Sequence, residues 1–421
     1  MAARSVRLLE VGLTWPPETF LRWKYRGLVE RGYWITVAAS YVERADARIE
    51  GVRVVRMANP EASRPTLALG LARHGLALAL TSPRRLVGVV RAVGWRAPRR
   101  LHHFLVLARL RGDIVHFEWE GAAVDHLPLF PVWDLPVVMS CHGGLHVYLH
   151  VPQRRRMVEG LPAAFEGASA VAGVSRAVLA EAESRGLDPA KAQLVPTAVD
   201  PERFRPGGPR PDSRELRVVA VGWLRWLKGL EWAVAAVARL AGRGVPVRLE
   251  IFGGDPQPPL GEAGERERLL WTADELGVRE RVHLHGHVTT DQLVHELRGA
   301  DVLLHSSLSE GVPTVVLEAM ACELPVVVTD VGGVSEAVSD GVEGLLAPVR
   351  DAGALADALE RLWSDPELRR RMGAAGRERV LSDFQLERQI DRFAALYGSL
   401  IGAPEPEPLP PAPDPTPSLP L

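Results

Sequence analysis

Short apolar runs alternate along this chain with longer stretches in which apolar residues recur every three or four positions. Residues 6–11, 34–39, 52–56, 114–117, 137–140, 170–174 and 193–195 are such runs, most of them rich in Val, Ile and Ala. Near-continuous apolar runs suit parallel strands buried on both faces. Residues 19–31 carry a helical period between the first two runs. Strands separated by helical stretches predict a doubly wound parallel α/β sheet. Proline and glycine break the pattern at Arg205-Pro206-Gly207-Gly208-Pro209-Arg210-Pro211, and a second α/β array begins at Arg217. The pattern divides the chain into a first domain over residues 1–208, a second over 209–385, a helix over 386–402 and a proline-dominated tail over 403–421. That tail has too little apolar surface to fold and is expected to be disordered or polyproline II.

Within the second array, residues 302–304 form a short apolar strand and residues 314–320 a helix, joined by Ser309-Glu310-Gly311-Val312-Pro313. Pro313 suits the first helical position, where its missing N–H would have no partner. The first turn of such a helix offers unpaired N–H groups and the positive end of the helix dipole, a seat for phosphate. Glu310 precedes that turn and Glu318 lies inside the helix, eight residues on. At that spacing the two carboxylates cannot reach one atom of a small ligand. One can accept from sugar hydroxyls and the other from a ribose, as a sugar nucleotide requires. The plainer alternative is a loop carboxylate and an exposed helix residue.

From Val218 to Val349 the chain resembles the C-terminal domain of glycosyltransferase family 4. The pieces that carry the resemblance are Val221-Gly222-Trp223-Leu224 with Lys228-Gly229, Ile251-Phe252-Gly253-Gly254, Leu284-His285-Gly286-His287-Val288, Ala300-Asp301-Val302, the two glutamates, Pro325-Val326-Val327 and Gly332-Gly333-Val334-Ser335-Glu336. The resemblance implies the GT-B fold: two Rossmann-like domains facing across a cleft, with the final helix crossing back. It also implies retaining, metal-independent transfer from a nucleotide-sugar. It places Glu310 at the donor sugar, Glu318 at the ribose, and Lys228 at the diphosphate together with the helix start Gly311, Val312, Pro313, Thr314 and Val315. Gly253, His287 and Val288 fall in its donor-binding segments. In the first domain Cys141-His142-Gly143-Gly144 and Pro16-Pro17-Glu18-Thr19-Phe20 match more weakly. They put His142, Gly143, Gly144 and Glu18 on the acceptor side, though His142 could also serve a tight turn.

Three positions depart from the family pattern. Trp223 replaces the arginine expected before Lys228, and Arg225, two residues on, would share its face in extended chain. Leu145 stands where relatives carry Asp. Glu323 occupies a position usually held by glycine, at a cost of roughly 1 kcal/mol if φ is positive there.

Composition adds constraints. The chain has 421 residues and a formal net charge of -2, so as a whole it is no polyanion binder. Of its 50 basic residues only Lys24, Lys191 and Lys228 are lysine, which singles out the one in the Lys-Gly pair. Between Ala62 and Gly112 lie ten arginines and no Asp or Glu, interleaved with leucine and valine. Such a segment can rest on anionic lipid or simply solvate a helical face. No recognised reader motif accompanies the charge, so nucleic acid is not expected. Cys141 and Cys322 sit in apolar context as reduced thiols of a cytoplasmic protein, with no signal peptide or spanning segment foreseen. The localisation expected is cytoplasmic, with peripheral contact at the inner face of the plasma membrane. No Asp-x-Asp occurs. His283, His285 and His287 alternate like a metal ladder on one strand face, but the resemblance implies neither metal nor cofactor there. Two rival readings stand beside the transferase: a non-catalytic sugar-nucleotide-binding scaffold, which Trp223 and Glu323 would favour, and a GT-B epimerase. Donor hydrolysis without acceptor separates the first from an enzyme.

Overall fold

The computed structural model describes residues 5–43, 47–58, 62–143, 154–208, 215–255 and 264–402. It contains two parallel sheets. The first comprises β1 (Arg7–Trp15), β2 (Trp34–Val42), β3 (Val52–Arg56), β4 (Ile114–Phe117), β5 (Val137–Cys141), β6 (Ala170–Gly173) and β7 (Ala192–Leu194). Its seven strands run in the order β3-β2-β1-β4-β5-β6-β7. The second comprises β8 (Leu216–Val221), β9 (Val247–Phe252), β10 (Val282–Gly286), β11 (Val302–His305), β12 (Val326–Thr329) and β13 (Gly344–Ala347), in the order β10-β9-β8-β11-β12-β13. All strand pairs are parallel. The strand order reverses beside β1 and β4 in one sheet and beside β8 and β11 in the other. Those are the points where open α/β sheets bind ligands, outside the carboxyl ends of the strands.

The apolar runs form these strands because helices cover both faces of each sheet. Leu9, Val115, Met139 and Val171 pack on one side of the first sheet, and Leu8, Ile35, Ile114 and Val138 on the other. The last helix, Leu386–Ile401, crosses back: Ile390, Phe393 and Tyr397 complete that second core, and Tyr33 donates from its hydroxyl to the Ala394 carbonyl at 3.2 Å. Strand limits differ from the sequence pattern by a few residues, most at β1, which runs on to Trp15 through a register shift beyond Val11. Pro313 is the N-cap of helix Thr314–Ala321 and not its first turn. Its ψ of 122° is extended, and the helix proper starts one residue later. Cys141 and Cys322 are both buried and not joined in a disulfide. Gly144, Leu145 and the tail over 403–421 lie outside the described residues, as does part of the proposed linker.

The segment 62–112 folds as three helices, Arg64–Thr81, Pro83–Val93 and Pro98–Ala108. Leu78, Val89, Phe104 and Leu105 bury their inner sides, while Leu69, Leu76, Leu80, Val87 and Trp95 are exposed. Arg85 is half-buried: its guanidinium donates to the carbonyls of Ala108, Leu110 and Trp133, tying the layer together.

Candidate active site in the interdomain cleft

Lys228 closes a 3-10 turn, Trp226–Lys228, that follows β8. Gly229, at φ 56°, then starts helix Leu230–Gly242. A Cβ on Gly229 would lie 2.2 Å from the Ser306 carbonyl oxygen, so only glycine allows the turn to seat against β11. The Ser306 hydroxyl fixes the approach by donating to the Gly229 carbonyl at 2.9 Å. This seating aims Lys228 at the loop after β11, where its Nζ meets Glu310 Oε1 at 2.6 Å. His305 Nε2 lies 3.0 Å from the same oxygen. Burial opposes ionisation of Glu310, but Lys228 and His305 outweigh it and hold the carboxyl well below the usual carboxylate range. The glutamate is thus a fixed anion with a cation already in contact. His305 was not singled out by spacing; its signal is its place at the end of an all-apolar strand, where a buried imidazole needs a partner.

Glu318 is the opposite case. It is buried in the middle of helix Thr314–Ala321, and burial alone drives its carboxyl up to about 8. No side chain caps that helix.

Trp223 and His287 stack nearly parallel, at 14° with centroids 6.3 Å apart, beside Gly254. The three alternating histidines do not share one strand face. β10 ends at Gly286, so only His283 and His285 share its exposed face, and His285 pairs with Glu250. Arg225 is extended, at φ -136° and ψ 144°, as the shared-face argument needs. Glu323 does adopt φ 57°.

The first domain closes over this site. Gly143 packs against Gly311 so tightly that a Cβ on the former would lie 2.6 Å from the Gly311 nitrogen. Glu336 reaches across the cleft and accepts from the backbone N–H groups of Arg176 and Ala177 at 3.0 and 2.9 Å, capping helix Arg176–Glu183. Glu18 is solvent-exposed in the open part of the cleft, yet protein stands on both sides of it. That surrounding raises its carboxyl, while the charges of Arg225 and Lys228 pull the other way. A cavity of about 310 Å³ lies between Ala177, Val178, Glu181 and Arg185 of the first domain and Glu310 and Gly332 of the second.

Behind His142 lies a buried charge network that sequence reasoning missed. Lys24, only 2% exposed, contacts Glu118 directly and reaches His116 Nδ1 at 3.1 Å and Glu10 Oε1 at 3.4 Å. Glu10, His116 and Glu118 bring ligand atoms within 4.8 Å of one another, but the Lys24 ammonium already sits in contact with all three. A cation of the chain's own supplies the charge this cluster needs.

Comparison with known proteins agrees with the geometry. The model for glycosyl transferases group 1 matches residues 204–379, and that for glycosyltransferase family 4 matches residues 18–203. A D-inositol 3-phosphate glycosyltransferase of Paenarthrobacter aurescens is 32% identical over 302 residues, covering 66% of this chain and 72% of that protein. Proteins of the same description from Frankia alni and Mycobacterium bovis match over 55% and 45% of their own length. Sucrose-phosphate synthase of Thermosynechococcus elongatus superposes with a TM-score of 0.76 at 22% identity, over 94% of this chain and 99% of that one. HepE of Anabaena, solved with UDP-glucose, gives 0.70 at 17% identity over 94% and 100%. Two facing parallel-sheet domains, a helix that crosses back and these matches place the chain in glycosyltransferase family 4, with the GT-B fold.

Proposed function

We propose that this chain is a retaining, metal-independent transferase that moves a sugar from a nucleotide-sugar to a carbohydrate or lipid-linked acceptor, in cell-surface polysaccharide or glycolipid assembly. The observation that carries the reading is the ionised Glu310 held between Lys228 and His305 at the mouth of the uncapped helix Thr314–Ala321. In this reading a diphosphate takes Lys228 and the helix N-terminus, which releases Glu310 to accept from the donor sugar's hydroxyls. Lys228, with Arg225 nearby, then offsets charge as the diphosphate leaves. Glu318 accepts from the ribose, and Trp223 with His287 forms an aromatic wall beside the donor pocket. His142 and Glu18 meet the acceptor side. HepE of Anabaena binds UDP-glucose in its solved structure, which supports a uridine donor for this fold.

The exposed Leu69, Leu76, Leu80, Val87 and Trp95, interleaved with arginines and no acidic residue, supply an apolar and cationic face suited to an anionic bilayer. No helix among the described residues is long and apolar enough to cross a membrane, so contact through this face is peripheral. It would bring the first domain to a lipid-linked acceptor.

Two measurements test the proposal. Thermal shift against UDP-, GDP- and ADP-sugars should single out one base, since ligand at about 100 times its dissociation constant stabilises by roughly 2.7 kcal/mol. Slow hydrolysis of that donor without acceptor marks a transferase, and its complete absence with intact binding would support a scaffold. For the membrane face, Arg84, Arg91, Arg96 and Arg99, all exposed, changed together to Glu should abolish sedimentation with anionic vesicles and spare donor hydrolysis. Wild-type protein that ignores such vesicles at low salt refutes the membrane role.

A further inference from the structure

His142 is held on three sides by residues of the first domain. Its ring packs against Trp119 at 4.9 Å and Phe20 at 5.5 Å between centroids. Its Nε2 is sealed from solvent and faces Glu118 Oε2 at 3.5 Å, a few tenths of an ångström beyond hydrogen-bond distance. Glu118 follows β4 and is 1% exposed. Its other oxygen contacts the Lys24 ammonium.

The protons in this cluster can be placed by donor and acceptor capacity. Lysine only donates, so His116 Nδ1, 3.1 Å from Lys24 Nζ, carries a lone pair. The Tyr397 hydroxyl, on the crossing-back helix, lies 2.7 Å from the same nitrogen and shares that lone pair with Lys24. The His116 proton is therefore on Nε2, 2.9 Å from the Ser140 hydroxyl. His116 stays neutral: burial and the Lys24 charge lower its pKa to about 3. Glu10 has one oxygen with no partner and is pushed up to about 8, first by burial. Burial also works against an ionised Glu118, but the Lys24 ammonium prevails and holds it well below the carboxylate range. One cation and one anion remain, Lys24 and Glu118. An ionised carboxylate only accepts.

We propose that Glu118, locked by Lys24, is the positioning residue of His142: it keeps a proton on the inward Nε2, so that Nδ1 is the nitrogen that meets substrate, as an acceptor for a sugar hydroxyl. The inference rests on the reading that His142 faces substrate in the cleft, and it adds which nitrogen does so and why. Glu118 touches no substrate; its effect passes through the imidazole.

The test uses the full chain with 15N-labelled histidine and a long-range 1H–15N spectrum, His142 being assigned by its loss in His142→Ala. The wild type should show the Nε2–H tautomer for His142. Glu118→Gln should fold, because Glu10 can ionise and take over Lys24, and should show an admixture of the Nδ1–H tautomer. With the best donor sugar from the panel, its kcat should fall about 10- to 100-fold while KM for donor and UDP affinity stay within twofold. Nδ1–H in the wild type overturns the proposal, and that spectrum is decisive even if Glu118→Gln fails to fold. Equal losses of kcat, UDP affinity and melting temperature in Glu118→Gln would also overturn it, by making Glu118 a structural residue only. A His142→Ala protein with wild-type hydrolysis refutes a different statement, that His142 belongs to the site.

Discussion

Lys228→Ala removes the cation that both leaves Glu310 ionised and stands ready for a diphosphate. Lys228 Nζ and Glu310 Oε1 are 2.6 Å apart, with the side chains 24% and 13% exposed. Such a pair lies between the surface case, worth up to about 1 kcal/mol, and the buried case, where losing one partner costs about 3–5 kcal/mol. A destabilisation of about 1–2 kcal/mol is expected, small enough for the protein to stay folded. Turnover should fall further, by about a hundredfold or more, as loss of one preorganised charge at a leaving group costs roughly 3 kcal/mol. The pH profile should change as well. In the wild type Glu310 is depressed, so its contribution to stability is present above the unfolded carboxyl value of about 4.3 and is lost only as pH falls through the much lower folded value. In the variant only His305 opposes burial, so the Glu310 carboxyl rises and an acid limb should enter the rate profile at higher pH. Donor hydrolysis from pH 5 to 9, with urea melts at the same points, measures both effects. A folded Lys228→Ala protein with wild-type turnover and an unmoved acid limb would refute the reasoning.

Glu318 predicts a pH-dependent affinity: with its carboxyl at about 8, uridine nucleotide binding should tighten by up to about tenfold from pH 7 to 9, since one pKa unit is 1.36 kcal/mol. In Glu318→Gln that slope should vanish and donor KM should rise more than kcat falls; a sloped mutant would place the titration elsewhere. Trp223→Arg should tighten UDP binding by calorimetry if the pocket has only lost a cation, and leave it level or weaker if Arg225 has replaced it. Glu323→Gly should stabilise by about 1 kcal/mol because φ is 57° there; no gain in a urea melt would mean that the Glu323 side chain's contacts offset the strain.

What could be read from the sequence was whatever is local. Lys228-Gly229, Glu310 and Glu318 sit in one half of the chain, tied to strand ends and helix starts by short spacings, and the folded chain brings Lys228 and Glu310 together. The strain at Glu323 was legible because one backbone position was at issue. Pro313 fell one position out because N-cap and first-turn proline differ only in ψ. The network around Lys24 was not legible in this way. Glu10 comes from β1, Lys24 from the next helix, His116 and Glu118 from the end of β4, and Tyr397 from the last helix. No spacing links them. A weak signal existed: Lys24 stands between Trp23 and Tyr25 on an apolar helix face, in a chain that scarcely uses lysine. Arg85 could not be told from the other arginines of its segment, because its three carbonyl partners lie up to 48 residues away.

The crossing-back helix also sets a schedule for biosynthesis. Ile390, Phe393 and Tyr397 fill the core beside β1 and β2, but they are translated 196 or more residues after β7 ends at Leu194. At about 5–20 residues per second, the nascent first domain waits roughly 10–40 s with an open apolar groove and with His116 lacking its Tyr397 partner. Truncation before residue 386 should therefore leave a first domain with that groove exposed, one that aggregates rather than standing as a separable unit.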